Sequence, residues 1–167
     1  MAVGALARDD RAMLDIVQVP HTSWLDLGAS LITIFGQFEL LGSVALGVAI
    51  VRLRRRRRDW WVPLLLFVVV GVELVLKVVI PQSPPPHELS RSVSLVPFLE
   101  SPTPFSFPSG HVARIAFLAT ALRVRGAAVV VVLMALTSVY LADHWPSDVL
   151  GGWLFGYGIA ALARARP

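Results

Sequence analysis

The chain has 167 residues, 56% of them hydrophobic and 16% charged, with a net charge of +4 and a mean hydropathy of +0.70. That balance excludes an ordinary water-soluble domain and makes lipid the expected solvent for one integral-membrane domain over residues 1–167. There is no cysteine, which excludes disulfides, zinc–thiolate sites and thiol catalysis.

Residues 8–20 set Met13, Leu14, Ile16 and Val17 among Asp9, Asp10, Arg11 and Asp15, which predicts a short amphipathic helix at the membrane interface. This start lacks the basic-then-apolar order of a cleavable leader, so the spans are expected to do the targeting. Residues 27–51, with Gln37 and Glu39 as their strongly polar members, predict a first crossing at about twenty residues per span. Residues 60–80 predict a second, and 109–125, 126–143 and 147–163 a third, fourth and fifth. The expected fold is therefore all-α: a polytopic helix bundle of about five transmembrane helices plus the N-terminal interfacial helix. The third and fifth spans are short, which puts their polar ends at the interface.

Six of the fifteen basic residues fall between Arg52 and Arg58. With Arg123, Arg125, Arg164 and Arg166 they lie on one side of a five-span arrangement, the side that the positive-inside rule makes cytoplasmic. Wedged between apolar segments and followed by Trp60 and Trp61, the run speaks for topology and against nucleic-acid binding. Everything chemically unusual then faces outward from a cytoplasmic membrane. The connection 81–107 holds seven prolines, which preclude a long helix. Its Leu95, Val96, Phe98, Leu99, Phe105 and Phe107 point to a lid or interfacial patch.

Two segments carry chemistry. In Pro108-Ser109-Gly110-His111 a proline ends the loop, serine can cap a helix and glycine allows close backbone approach. Amides at the start of a helix, with its dipole behind them, form an anion site, and His111 in the first turn can act as a general acid. The plainer reading is a capped helix with an interfacial histidine. In His144-Trp145-Pro146-Ser147-Asp148, proline suits the first turn of a helix and the two titratable residues share a face. A carboxylate on one imidazole nitrogen fixes the tautomer and leaves the other nitrogen nucleophilic toward phosphorus. The alternative is an aspartate serving only as N-terminal helix charge.

Lys77 is the only lysine beside fourteen arginines and can bind a phosphate oxygen, or pair with Glu73 one turn earlier. Arg114, one turn beyond His111, needs a compensating anion, for which Glu39 is a candidate. Arg91 is free to fold over the same site from the loop. His21 and His87 have no supporting pattern.

Together, Lys77, Pro108-Ser109-Gly110-His111 and His144 with Asp148 resemble the type 2 phosphatidic acid phosphatase (PAP2) superfamily of membrane lipid phosphatases. Its pattern is Lys-x6-Arg-Pro, then Pro-Ser-Gly-His, then Ser-Arg-x5-His-x3-Asp. The resemblance implies a PAP2-like bundle and a metal-independent hydrolase without cofactor. It further implies His144 as nucleophile forming a phosphohistidine, Asp148 as its orienter and His111 as the acid. Lys77, Ser109 and the Gly110 amide would hold the phosphoryl oxygens. This chain has Pro84 where the first motif has arginine and Ser138 where the third has it. Arg91 and Arg114 are then expected to supply those charges. Where the family has six spans, five and an interfacial helix are read here.

The expected function is hydrolysis of a lipid phosphomonoester or diphosphate: a polyprenyl phosphate or diphosphate, a prenyl-linked sugar phosphate, phosphatidylglycerol phosphate or phosphatidic acid. Expected partners are that substrate and membrane lipids, with a homo-oligomer left open. The alternatives are a non-catalytic lipid-phosphate binder and a phosphotransferase using the same site.

Overall fold

The computed structural model describes residues 2–95 and 104–165, with side chains from residue 8 onward. Among the described residues seven α-helices run in the order α1 (Ala2–Val17), α2 (Ser23–Ile34), α3 (Phe38–Arg54), α4 (Leu65–Val79), α5 (Gly110–Ala121), α6 (Ala127–Tyr140) and α7 (Pro146–Ala165). Single 3-10 turns at Val62–Leu64 and His87–Leu89 precede and follow α4, and the described residues contain no strand.

The expected first crossing is two helices, α2 and α3, bent by 40°. The break falls at Phe35-Gly36-Gln37, where a Cβ on residue 36 would come within 2.6 Å of His111 Cδ2. The expected interfacial helix at 8–20 begins earlier, at Ala2, and stops at Val17, because Pro20 disfavours helix in the residue before it. It does not merely lie on the surface: Leu14 is fully buried in the core shared with α6 and α7, while Met13 and Ile16 face outward.

Helices α3, α5 and α6 stop in the same way. Arg56, Arg123 and Ala142 take positive φ, and the next amide bonds a carbonyl five residues back: Arg57 to Arg52, Val124 to Ala119 and Asp143 to Ser138, at 2.9, 2.9 and 3.1 Å. These are Schellman caps built without glycine.

Helix α5 is the axle of the bundle: ten of its twelve residues are buried. It lies closest to α7, where a Cβ on Gly152 or Gly156 would collide with the carbonyls of Ser109 and Ala113. A Gly-x3-Gly face lets backbones touch, the packing that joins helices in lipid, where burial of apolar surface gives little drive. The two helices run parallel. Ser109 N–H donates to the Asp148 carbonyl at 2.9 Å at one end, and Arg164 reaches the Thr120 carbonyl at 3.4 Å at the other.

The outer faces are apolar, as in a protein surrounded by lipid. Val78 and Leu162 are 73% and 70% exposed. By length and apolarity Val62–Val79 qualifies as a crossing, and the bent pair α2 and α3 qualifies together. The remaining three expected crossings are helices of 12, 14 and 20 residues. At 12 residues α5 is too short to qualify by length, and its enclosure by protein lets it carry Arg114. Of the expected lid, Val96, Phe98 and Leu99 lie outside the described residues, and Phe107 rests against Gly151.

Candidate active site

The two histidine segments meet at one end of the bundle. The Schellman cap of α6 turns the chain so that the Ser138 carbonyl receives the amides of Asp143 and His144, at 3.1 and 3.3 Å. The α5–α7 contact brings Ser109 and His111 to the same place. The His111 and His144 rings stand 6.4 Å apart between centroids and 61° between planes. Asp148, fully buried, accepts the Trp145 N–H through Oδ2 at 2.8 Å. The same oxygen lies 3.7 Å from His144 Nδ1, beyond hydrogen-bond range. Asp148 therefore caps its own helix, the plainer of the two sequence readings, while also facing the imidazole. Ser109 does not cap α5 through its side chain. Its Oγ, His144 Nδ1 and Asp148 Oδ1 are buried polar atoms without a hydrogen-bond partner among the described residues.

Lys77 sits at the end of α4, 5% exposed, and its Nζ donates to the carbonyls of Phe105 and Ser106 at 2.9 and 3.3 Å. Ser106 is itself pinned to the Gln82 carbonyl through its N–H at 2.9 Å and its hydroxyl at 3.2 Å. Glu73 does not hydrogen-bond Lys77. It pairs with Arg114, Nη1 to Oε2 at 3.1 Å, and Arg114 Nε donates to the Gly36 carbonyl at 3.1 Å. The anion that Arg114 needs is thus Glu73, and Glu39 is exposed. The break between α2 and α3 supplies the second acceptor. Gly110 leaves room for the Glu73 carboxylate, into which a Cβ would run.

Arg91 lies at the rim. Its amide donates to the Leu141 carbonyl at 3.1 Å, and its guanidinium sits 5.5 Å above the Tyr140 ring. Tyr140 in turn donates to Asp26 at 2.6 Å. The structure therefore gathers His111, His144, Asp148, Ser109, Gly110 and Lys77 at one helix end, puts Arg114 one turn deeper in an ion pair, and leaves Arg91 stacked beside the α6 terminus. Sequence reasoning missed Asp10 and Gln82, both bonded to Ser147. Nothing local marks them. The Gly152-x3-Gly156 spacing was a legible signal for the contact that assembles the site. Among the described residues no three His, Asp or Glu side chains gather as metal ligands.

Residues 58–166 match the family model of the PAP2 superfamily. The chain belongs to the PAP2 superfamily. It is 30% identical over 124 residues to an undecaprenyl-diphosphatase of Sulfolobus acidocaldarius, covering 69% of this chain and 59% of that protein. It is 31% identical over 128 residues to a decaprenylphosphoryl-5-phosphoribose phosphatase of Mycobacterium tuberculosis, covering 74% and 66% respectively. The chain thus spans about three fifths to two thirds of these curated relatives' lengths. The crystal structure of a transmembrane PAP2-type phosphatidylglycerolphosphate phosphatase from Bacillus subtilis superposes with a TM-score of 0.76 at 25% identity, covering 96% of this chain and 85% of that one. The all-helical architecture is that of a transmembrane PAP2 protein.

Proposed function

We propose that this PAP2 protein hydrolyses a lipid phosphomonoester or diphosphate through a phosphohistidine on His144, at the outer face of a cytoplasmic membrane. One observation carries the reading: two imidazoles from distant segments stand 6.4 Å apart, with a buried carboxylate behind one of them.

His144 Nε2 attacks phosphorus while Nδ1 faces Asp148. The P–O bond to the lipid breaks, and His111 gives its proton to the departing oxygen. Water then attacks the phosphohistidine with His111 taking the proton, the P–N bond breaks and phosphate leaves. Lys77, Ser109 and the Gly110 amide hold the phosphoryl oxygens, with Arg91 and Arg114 as additional cations. The lipid tail is accommodated by the apolar groove of about 290 Å³ that Met13, Ile16, Leu136, Pro146 and Val149 help to line, two residues from His144. The polyprenyl and phosphatidylglycerol phosphates acted on by the relatives are the first substrates to try.

The test is phosphate release in EDTA from polyprenyl phosphate and diphosphate, phosphatidylglycerol phosphate, phosphatidic acid and a prenyl-linked sugar phosphate. Release that vanishes in His144→Ala supports the proposal, and its absence across the panel overturns it. A second reading, a lipid-phosphate binder without turnover, is favoured by the engagement of Arg114 with Glu73 and by Pro84 and Ser138 in place of motif arginines. Binding of those lipids without release selects it.

A further inference from the structure

A carboxylate outside all three motifs reaches the start of α7. Asp10, on α1, is 7% exposed. Its Oδ1 accepts the Ser147 N–H at 2.8 Å and its Oδ2 the Ser147 hydroxyl at 2.6 Å. Gln82 Nε2 adds a third contact to that hydroxyl at 3.3 Å. The first amides of a helix have no acceptor within it. Here Asp148 takes the amide of Trp145 from inside the helix, and Asp10 takes that of Ser147 from outside. Both negative groups also face the positive end of the α7 dipole.

Ser147 immediately precedes Asp148. Fixing its amide and hydroxyl fixes the first turn, and with it the direction from which the Asp148 carboxylate meets His144 Nδ1. A second anchor holds α1 elsewhere: Gln18 Nε2 donates to the carbonyls of Leu89 and Tyr140, at 3.0 and 2.8 Å. Holding α1 in place and setting the start of α7 are therefore tasks of different side chains.

We infer that Asp10 is a positioning residue for the His144–Asp148 pair, with α1 as a strap whose carboxylate sets the first turn of α7 and thereby the orientation and tautomer of the His144 ring. The catalytic consequence rests on the proposed role of His144 as nucleophile. The effect on the ring does not.

Two readouts on detergent-purified protein test this: kcat and KM for phosphate release, and ¹⁵N shifts of labelled histidines, with His144 assigned by its loss in His144→Gln. Asp10→Ala is expected to lower kcat about tenfold or more with KM within about twofold, and to shift the His144 tautomer balance. Asp10→Asn, which still accepts from the amide, retains kcat within about threefold. Gln18→Ala leaves both readouts in place. In an Asp148→Asn background, Asp10→Ala costs less than about twofold, because the two act in series. If Asp10→Ala does not accumulate, Ser147→Ala substitutes for it and is expected to give a partial loss of kcat and a smaller shift in the same direction. The inference is overturned if Gln18→Ala lowers kcat as far as Asp10→Ala, if the Asp10 effect persists undiminished beside Asp148→Asn, or if the His144 signals do not move. Without wild-type turnover the phosphatase reading fails, and the histidine spectra still decide on Asp10.

Discussion

Arg114 and Glu73 are 10% and 6% exposed at the side chain and 3.1 Å apart. Removing one partner from such a pair strands a charge and costs about 3–5 kcal/mol, whereas replacing both by apolar groups is often neutral. Glu73→Ala is therefore expected to lower the thermal midpoint in detergent sharply, and Glu73→Leu with Arg114→Met to recover most of it. If the double variant also keeps its KM for a lipid phosphate, Arg114 is a strut and not a phosphate clamp. His111 makes a separate prediction: a general acid contributes about 10²–10⁴-fold, so His111→Ala should lower kcat by that much on a poor leaving group and by less on an activated aryl phosphate. Phosphate release from the two substrates, compared side by side, checks it. At this scale the sequence was legible wherever the candidate site is built from closely spaced residues, as in Ser109-Gly110-His111 and His144 with Asp148. It was illegible where partners are far apart: Glu73 and Arg114 are 41 positions apart, and Asp10 and Ser147 are 137 apart. Glu39 was the candidate for Arg114 and Glu73 for Lys77, because hydropathy does not say which face of a helix meets α5.

The contact between α5 and α7 is the element that converts two sequence motifs into one site. Its closeness depends on glycine, so Gly156→Val is expected to force the helices apart, lowering the thermal midpoint and phosphate release together. Gly152→Ala, directly under the Ser109 carbonyl, should reduce kcat more than stability, measured as release against unfolding temperature. The end of α6 makes an opposite prediction. Ala142 holds φ +56°, where an L-residue other than glycine costs about 1–2 kcal/mol. Ala142→Gly is expected to raise the thermal midpoint without moving His144. Helix existence followed from apolar runs, and all five predicted spans coincide with helical segments. The bend at Phe35–Gln37 did not, because an apolar run has the same composition whether it is straight or broken. The packing of α1 was hidden likewise, since an amphipathic pattern fits a lipid surface and a protein groove equally well.

Across the molecule, the candidate site and the arginine clusters at the C-terminal ends of α3, α5 and α7 occupy opposite ends. The site collects the end of α4, the start of α5, the end of α6 and the start of α7, while Arg52, Arg54, Arg123 and Arg164 mark the far termini of α3, α5 and α7. The absence of native cysteine makes this orientation easy to test. In intact cells a membrane-impermeant maleimide should label Ser94→Cys and leave Arg125→Cys unlabelled until the membrane is opened; the reverse pattern would place the histidines in the cytoplasm. The near-complete enclosure of α5 has a further result. Bilayers of different thickness or fluidity press on the outer helices, yet the helix bearing His111 and Arg114 meets hydrocarbon almost nowhere. Adaptation to a new membrane can therefore proceed by exchanging Val, Leu and Ile on the perimeter, with the groups carried by α5 mechanically insulated from the change.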